Sequence, residues 1–140
     1  MNTLKRFGVS LPAGLLERFD REIAEKGYQN RSEALRDLIR NYLVKRDLDK
    51  NEEIVGVLTL VYDHHVPNLA SHLNDLQHDH HEHILSNTHI HLDHYNCLEV
   101  IILKGRYSDV KSLSDRIIGT RGVKHGDLSF TSTGKNLAGV

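Results

Sequence analysis

The sequence predicts an α/β chain of the α+β kind, made of two small modules in series. Three observations carry this. The first is a division of charge hidden by a formal total of -1 over 140 residues. Residues 1–46 hold ten basic and six acidic side chains, a net of +4, and no histidine. The remaining 94 hold eight basic and thirteen acidic, a net of -5, together with all 11 histidines. The second is an N-terminal order of strand, helix, helix. The third is a C-terminal order of β-α-β-β-α-β. Such an asymmetry marks modules with different partners.

In the first module, Phe7, Val9 and Leu11 alternate with Arg6, Gly8 and Ser10, which predicts a short half-buried strand. Pro12 stops it and leads into a helix over 15–26 with Leu15, Leu16, Phe19 and Ile23 on one face, closed by Gly27. Asn30 and Glu33 form a capping-box pattern ahead of a second amphipathic helix carrying Ala34, Leu35, Leu38, Ile39, Tyr42 and Leu43. A lone strand leaves its backbone groups unpaired, and so few residues make a poor core. Pairing with the same strand of a second chain answers both problems.

The domain boundaries expected are 1–46 for this module, 47–53 for a charged linker, 54–133 for the second module and 134–140 for a flexible tail. Within the second module, strands are expected at 54–62, 84–92, 97–103 and 123–130, with helices at 66–81 and 107–119. That order is a ferredoxin-like sheet backed by two helices. A single cysteine excludes an internal disulfide framework, and no apolar run approaches a membrane span. The N-terminus has no apolar signal segment, so the expected setting is the cytoplasm.

His89 and His91, two apart in a strand, project from one face with Cα atoms about 6.6 Å apart. Cys97, just past the turn, can be brought beside them. Two imidazoles and a thiolate suit a borderline or soft ion such as Ni, Cu or Zn. Glu99 faces the same way and could orient a ligand or accept a proton from an imidazole. A fourth ligand has to come from elsewhere, and His78, His80, His81 and His83 supply the stock. Against this stands a plainer reading, in which strand histidines are surface residues and Cys97 is a small buried hydrophobe. His64, His65, His72, His94 and His125 read as non-ligands or secondary contributors. No His-Glu-x-x-His pattern or phosphate-binding glycine loop is present, so nothing favours an enzyme.

A two-stranded ribbon fits the DNA major groove, with Arg6, Gly8 and Ser10 outward from each chain. Arg6 can pair with guanine, Ser10 with either partner, and Gly8 permits only close approach. Asn30, Arg31 and Ser32, at the start of the second helix, are placed to meet a phosphate. Plain solvated surface is the competing interpretation.

The chain resembles the nickel-responsive transcriptional regulators of the ribbon-helix-helix class. The matching stretches are 6–11, Gly27 to Ala34, Tyr62 to His65, Gln77-His78, Thr88 to Leu92, Asn96 to Glu99 and Arg121 to Val123. The most specific is His-x-His followed by Cys-Leu-Glu, with Gln-His upstream. The resemblance implies a homotetramer, two DNA-binding dimers flanking regulatory domains of ACT type. It also implies one Ni(II) per chain, held in a near-planar site by His89, His91 and Cys97 of one chain and His78 of another. Planar N and S ligation suits Ni(II). Glu33 and Asp37 resemble positions of a weaker second cation site between the domains. Gly8 departs from the small polar residue common at that ribbon position. Val66 and Pro67 stand where some members carry basic residues.

The function expected is nickel-dependent binding to a palindromic double-stranded DNA operator, repressing nickel-uptake genes when Ni(II) is bound. Neither a small-molecule substrate nor a membrane enters this reading. The alternative is a ribbon-helix-helix regulator whose ACT-like domain senses a metabolite, with metal incidental.

Overall fold

The computed structural model describes residues 3–135, except the side chains of Asp47 and Asp49. The end of the expected 134–140 tail lies outside the described residues. The elements are α1 (Ala13–Glu25), α2 (Arg31–Asp49), β1 (Glu53–Asp63), α3 (Leu69–Asp79), β2 (Ile84–His91), β3 (Asn96–Arg106), α4 (Tyr107–Ile118) and β4 (Val123–Ser132). The chain separates into two compact units, one reaching to Arg46 and the other spanning Asp47–Thr133. Helix α2 runs through this boundary to Asp49, so only 50–52 separate it from β1.

In the first unit, α1 starts behind Pro12, whose carbonyl accepts the backbone N–H groups of Leu15 and Leu16. It ends where Gly27 takes φ +88°, a left-handed turn that lets Gly27 and Tyr28 donate to the carbonyls of Ala24 and Ile23. The capping box at α2 forms with a shift. Asn30 Oδ1 accepts the Glu33 N–H at 2.9 Å, while the Glu33 carboxylate reaches the N–H of Gln29, not that of Asn30. Tyr28 donates its hydroxyl to Asp37, which also pairs with Arg40.

The expected strand at 6–11 is absent: residues 3–12 carry no ladder. Among the described residues, the sheet is made of β1 to β4 and none of these pairs with this segment. Phe7 is 70% exposed, and Val9, Leu15, Leu38 and Tyr42 are also exposed. Among the described residues of this unit only Ala34 is buried.

The second unit is a four-stranded sheet in the order β2-β3-β1-β4, every neighbouring pair antiparallel. This is the topology expected of the βαββαβ order. Alternation sends Ile54, Leu58, Leu60 and Tyr62 of β1 and Cys97, Glu99, Ile101 and Leu103 of β3 to one face. There they meet Leu69, Leu73 and Leu76 of α3 and Val110, Leu113 and Ile117 of α4. Gly56 is required under α4, because a Cβ there would lie 2.8 Å from Val110. The opposite face, with Val57 and Val61 of β1 and Leu98, Val100 and Ile102 of β3, stays partly exposed. Helix α3 starts at Leu69 instead of Val66. Pro67 disfavours helical geometry at Val66, and a turn with Asn68 at φ 66° precedes the helix.

Candidate metal centre

The hairpin register sets the centre. His91 lies directly opposite Cys97, and His89 opposite Glu99, while Cys97 also faces Tyr62 across β1. Opposed residues share a face, so β2 brings two imidazoles to the helix-covered side of the sheet, next to a fully buried thiol. His91 Nδ1 lies 3.5 Å from Cys97 Sγ. The imidazoles of His89 and His91 stand 5.4 Å apart, and His89 lies edge-on to Tyr62 at 5.9 Å.

Sequence reasoning missed one participant. His64, just past the end of β1, places Nδ1 2.9 Å from Cys97 Sγ. Its imidazole is held below the usual histidine range, first by burial and then by His65 and His91, which keeps it neutral and able to ligate. The available signal was the pairing of β1 with β3, which carries the residues after Tyr62 to the side of Cys97.

Among the described residues, two sets of donor atoms lie close enough to share one ion: His64, His91 and Cys97, and Asp63, His64 and His65. Neither contains His89 or His78. The first set offers a sulfur and two imidazole nitrogens within 4.8 Å of one another, a donor set that fits Ni(II), Cu(II) or Zn(II). His78, in the last turn of α3, lines a cavity of about 700 Å³ with Asp75, Asn87, His89 and Glu99. The neighbouring histidines are occupied differently. His80, His81 and His83 place Nδ1 against the carbonyls of Leu76, His78 and Lys104, securing the turns between α3 and β2.

Glu99 is 4% exposed, and none of its hydrogen-bond partners is an imidazole. One carboxylate oxygen accepts the Tyr62 hydroxyl at 2.8 Å; the other accepts the amide N–H groups of Gln77 and Asn87. Asn87 also donates to Gln77 Oε1. A buried carboxylate thus ties β1, β2 and β3 to Gln77, the residue before His78. Burial and then Glu99 push the Tyr62 hydroxyl up, so it stays protonated as a donor.

In the first unit, Arg6, Gly8 and Ser10 are exposed in the unpaired segment, and nothing lies within 4 Å of a Cβ built on Gly8. Asn30 spends its side-chain oxygen on the α2 cap, and Arg31 is held by Asp20. Ser32 is exposed beside them. Glu33 and Asp37 are engaged by Gln29 and by Tyr28 and Arg40 respectively.

Comparison with known proteins agrees with both units. Residues 55–131 match the family profile described as the NikR C-terminal nickel binding domain, and residues 5–46 match the ribbon-helix-helix protein, copG family. A relative in Nitratidesulfovibrio vulgaris (strain Miyazaki F) is 57% identical over 133 residues, covering 94% of this chain and 96% of the relative. One in Desulfotalea psychrophila is 53% identical, covering 96% and 98%, and one in Pyrococcus abyssi is 50% identical with the same coverage. All three carry the name of nickel-responsive regulator. A solved structure of an uncharacterized protein from Thermotoga maritima aligns with a TM-score of 0.51 and 20% identity. It covers 56% of this chain and 98% of its own, a likeness of fold. The fold and site therefore define a transcription regulator with a DNA-binding unit and a nickel-binding unit, in a family that is not one of enzymes. The chain belongs to the nickel-responsive regulators. Among the described residues, no helix is long and apolar enough to cross a membrane.

Proposed function

We propose that this nickel-dependent regulator represses nickel-uptake genes when Ni(II) is bound. The observation that carries the metal half is a buried thiol flanked by imidazoles on neighbouring strands. One Ni(II) per chain is assigned to His89, His91 and Cys97, with His78 supplied by a second copy. Two features support the split set: within one chain His78 joins no three-donor group with Cys97, and it lines the same cavity as His89. Glu99 acts on the site indirectly, by fixing Gln77 beside His78 and Asn87 beside Thr88. Glu33 and Asp37 are assigned to a weaker cation site.

The assembly proposed is a homotetramer, a dimer of dimers, in the cytoplasm. Its support is apolar surface that a single chain leaves bare: Phe7, Val9 and Tyr42 in one unit, and Ile90, Leu92 and the open sheet face in the other. Dimer pairing would give the 6–11 segment its ladder and turn Arg6, Gly8 and Ser10 of both chains toward a palindromic operator. Asn30, Arg31 and Ser32 would meet its phosphates. Donors drawn from two chains make occupancy depend on how the chains are arranged. Moving such an equilibrium from 1:99 to 99:1 needs a preference of about 5.5 kcal/mol.

The polar cavity beside His89 supports a second reading, in which the regulatory unit senses a small metabolite and metal is incidental. The experiment that separates them titrates DNA binding by the full chain against Ni(II), Zn(II) and Co(II). The probe is a palindromic duplex from the promoter of its own gene or of a nickel transporter. The expected result is tight binding with stoichiometric Ni(II) that a chelator reverses; equal binding before and after chelation overturns the proposal.

A further inference from the structure

We propose that Asp20 sets how strongly the DNA-binding unit holds phosphate, by competing for the guanidinium of Arg31. The inference rests on the DNA-binding reading above and adds a residue to it. Arg31 Nε donates to Asp20 Oδ1 at 2.9 Å and Nη2 donates to Oδ2 at 2.8 Å. This two-point fork, from the start of α2 to the middle of α1, has the geometry with which arginine grips a phosphate. The edge of Arg31 best suited to DNA is therefore already filled by a carboxylate of the same chain.

The surroundings sharpen the competition. Asp20, Gln29, Asn30, Arg31 and Ser32 line one concavity of about 550 Å³. The Glu33 carboxylate sits next to it on the N–H of Gln29. Against the single positive charge of Arg31 stand two negative ones, so this corner is no ready-made anion socket. A phosphate arriving there must take Arg31 from Asp20. That exchange is feasible, because the pair is open to solvent, with side chains 55% and 42% exposed, and such pairs are weak. Arg31 in turn holds the Asp20 carboxyl below its ordinary range, so the competitor stays ionised throughout the neutral region.

The consequence concerns specificity. A phosphate contact carries no sequence information. Asp20 thus lowers affinity for all DNA alike and leaves a larger share of the binding to the base-facing residues of the ribbon.

The test uses the full chain loaded with one equivalent of Ni(II) and a short duplex of arbitrary sequence, titrated by fluorescence anisotropy over a salt series. Asp20→Asn should tighten binding about two- to fivefold, the equivalent of one exposed ion pair. It should also steepen the slope of log K against log salt by about 0.9, one additional phosphate neutralised. Glu17→Gln, at an exposed position of the same helix, removes the same charge and should leave the slope unchanged. In an Arg31→Gln background, Asp20→Asn should have no effect. A gain that survives in that background, a gain matched by Glu17→Gln, or no gain overturns the proposal. If Asn perturbs α1 by circular dichroism, Asp20→Ala, a better helix former, carries the same comparison. Failure of the wild-type chain to bind any DNA with Ni(II) overturns the functional reading itself, an outcome distinct from wild-type binding that Asp20→Asn leaves unaltered.

Discussion

Tyr62→Phe removes one hydroxyl and keeps the ring that packs in the sheet core. That hydroxyl donates to Glu99 at 2.8 Å, with Tyr62 1% exposed and Glu99 4% exposed. Both residues line the cavity beside His89, and the acceptor is a carboxylate. A hydrogen bond to a charged group contributes about 1.5–3 kcal/mol net. Glu99 keeps the amide donors of Gln77 and Asn87, so the loss should stay in that range and not escalate to an unpaired buried charge. In a domain of this size each kcal/mol lowers Tm by about 4–8 °C. The expected result is a fall of at least about 6 °C, from 1.5 × 4, in thermal unfolding of the metal-free protein at fixed concentration. Phe fills the same space, so no cavity contributes. A fall below about 2 °C would refute the view of Glu99 as a buried anchor dependent on its three donors.

Cys97→Ala should abolish the absorption of planar Ni(II) while circular dichroism stays unchanged; an unaltered spectrum excludes the thiol as a ligand. Arg6→Ala should weaken operator binding by about 1–3 kcal/mol with less effect on arbitrary DNA, whereas equal losses on both would make Arg6 a phosphate contact. Asp93 accepts the backbone N–H groups of Tyr95 and Asn96 and the Asn96 amide, which lower its carboxyl from 3.8 to about 2. Its contribution is present above the unfolded value and lost as pH falls from 3.8 toward 2. Protection of the Tyr95 and Asn96 amides, measured against intrinsic exchange at each pH, should fall over that window, and Asp93→Asn should remove the dependence. Gly126→Ala would set a Cβ 2.6 Å from Ile118, and overpacking of this kind should cost about 1–3 kcal/mol in urea unfolding.

Most of the second unit was legible because its strands alternate and its helices repeat, so strands expected at 84–92 and 97–103 fall on one hairpin, although β3 runs on to Arg106. That His89 and His91 share a face with Cys97 within reach followed from strand geometry, while the register that sets His91 opposite Cys97 is given by the structure. His64 read as a non-ligand or secondary contributor because it falls just past the expected strand, although the expected neighbouring of β1 and β3 is what carries it to Cys97. The partners of Glu99 were likewise hidden, because Asn87 reads as an ordinary polar strand residue until the sheet closes over it. In the first unit the strand pattern at 6–11 is clear in sequence and has no ladder in one chain. On the proposed assembly, its ladder would come from a second copy and could not be completed within one chain. The capping box is shifted by one residue, with the Glu33 carboxylate accepting the N–H of Gln29.

The hairpin register has a consequence for quality control of the folded chain. Tyr62, His89, His91, Cys97 and Glu99 share the helix-covered face only because β1, β2 and β3 pair as they do. A slip of one residue along β3 would bring Leu98 opposite His91 and turn Cys97 to the bare side of the sheet. A mispaired molecule therefore has lost its thiol as well as its core. On the proposed ligand set, capacity to hold the ion would therefore depend on correct strand pairing.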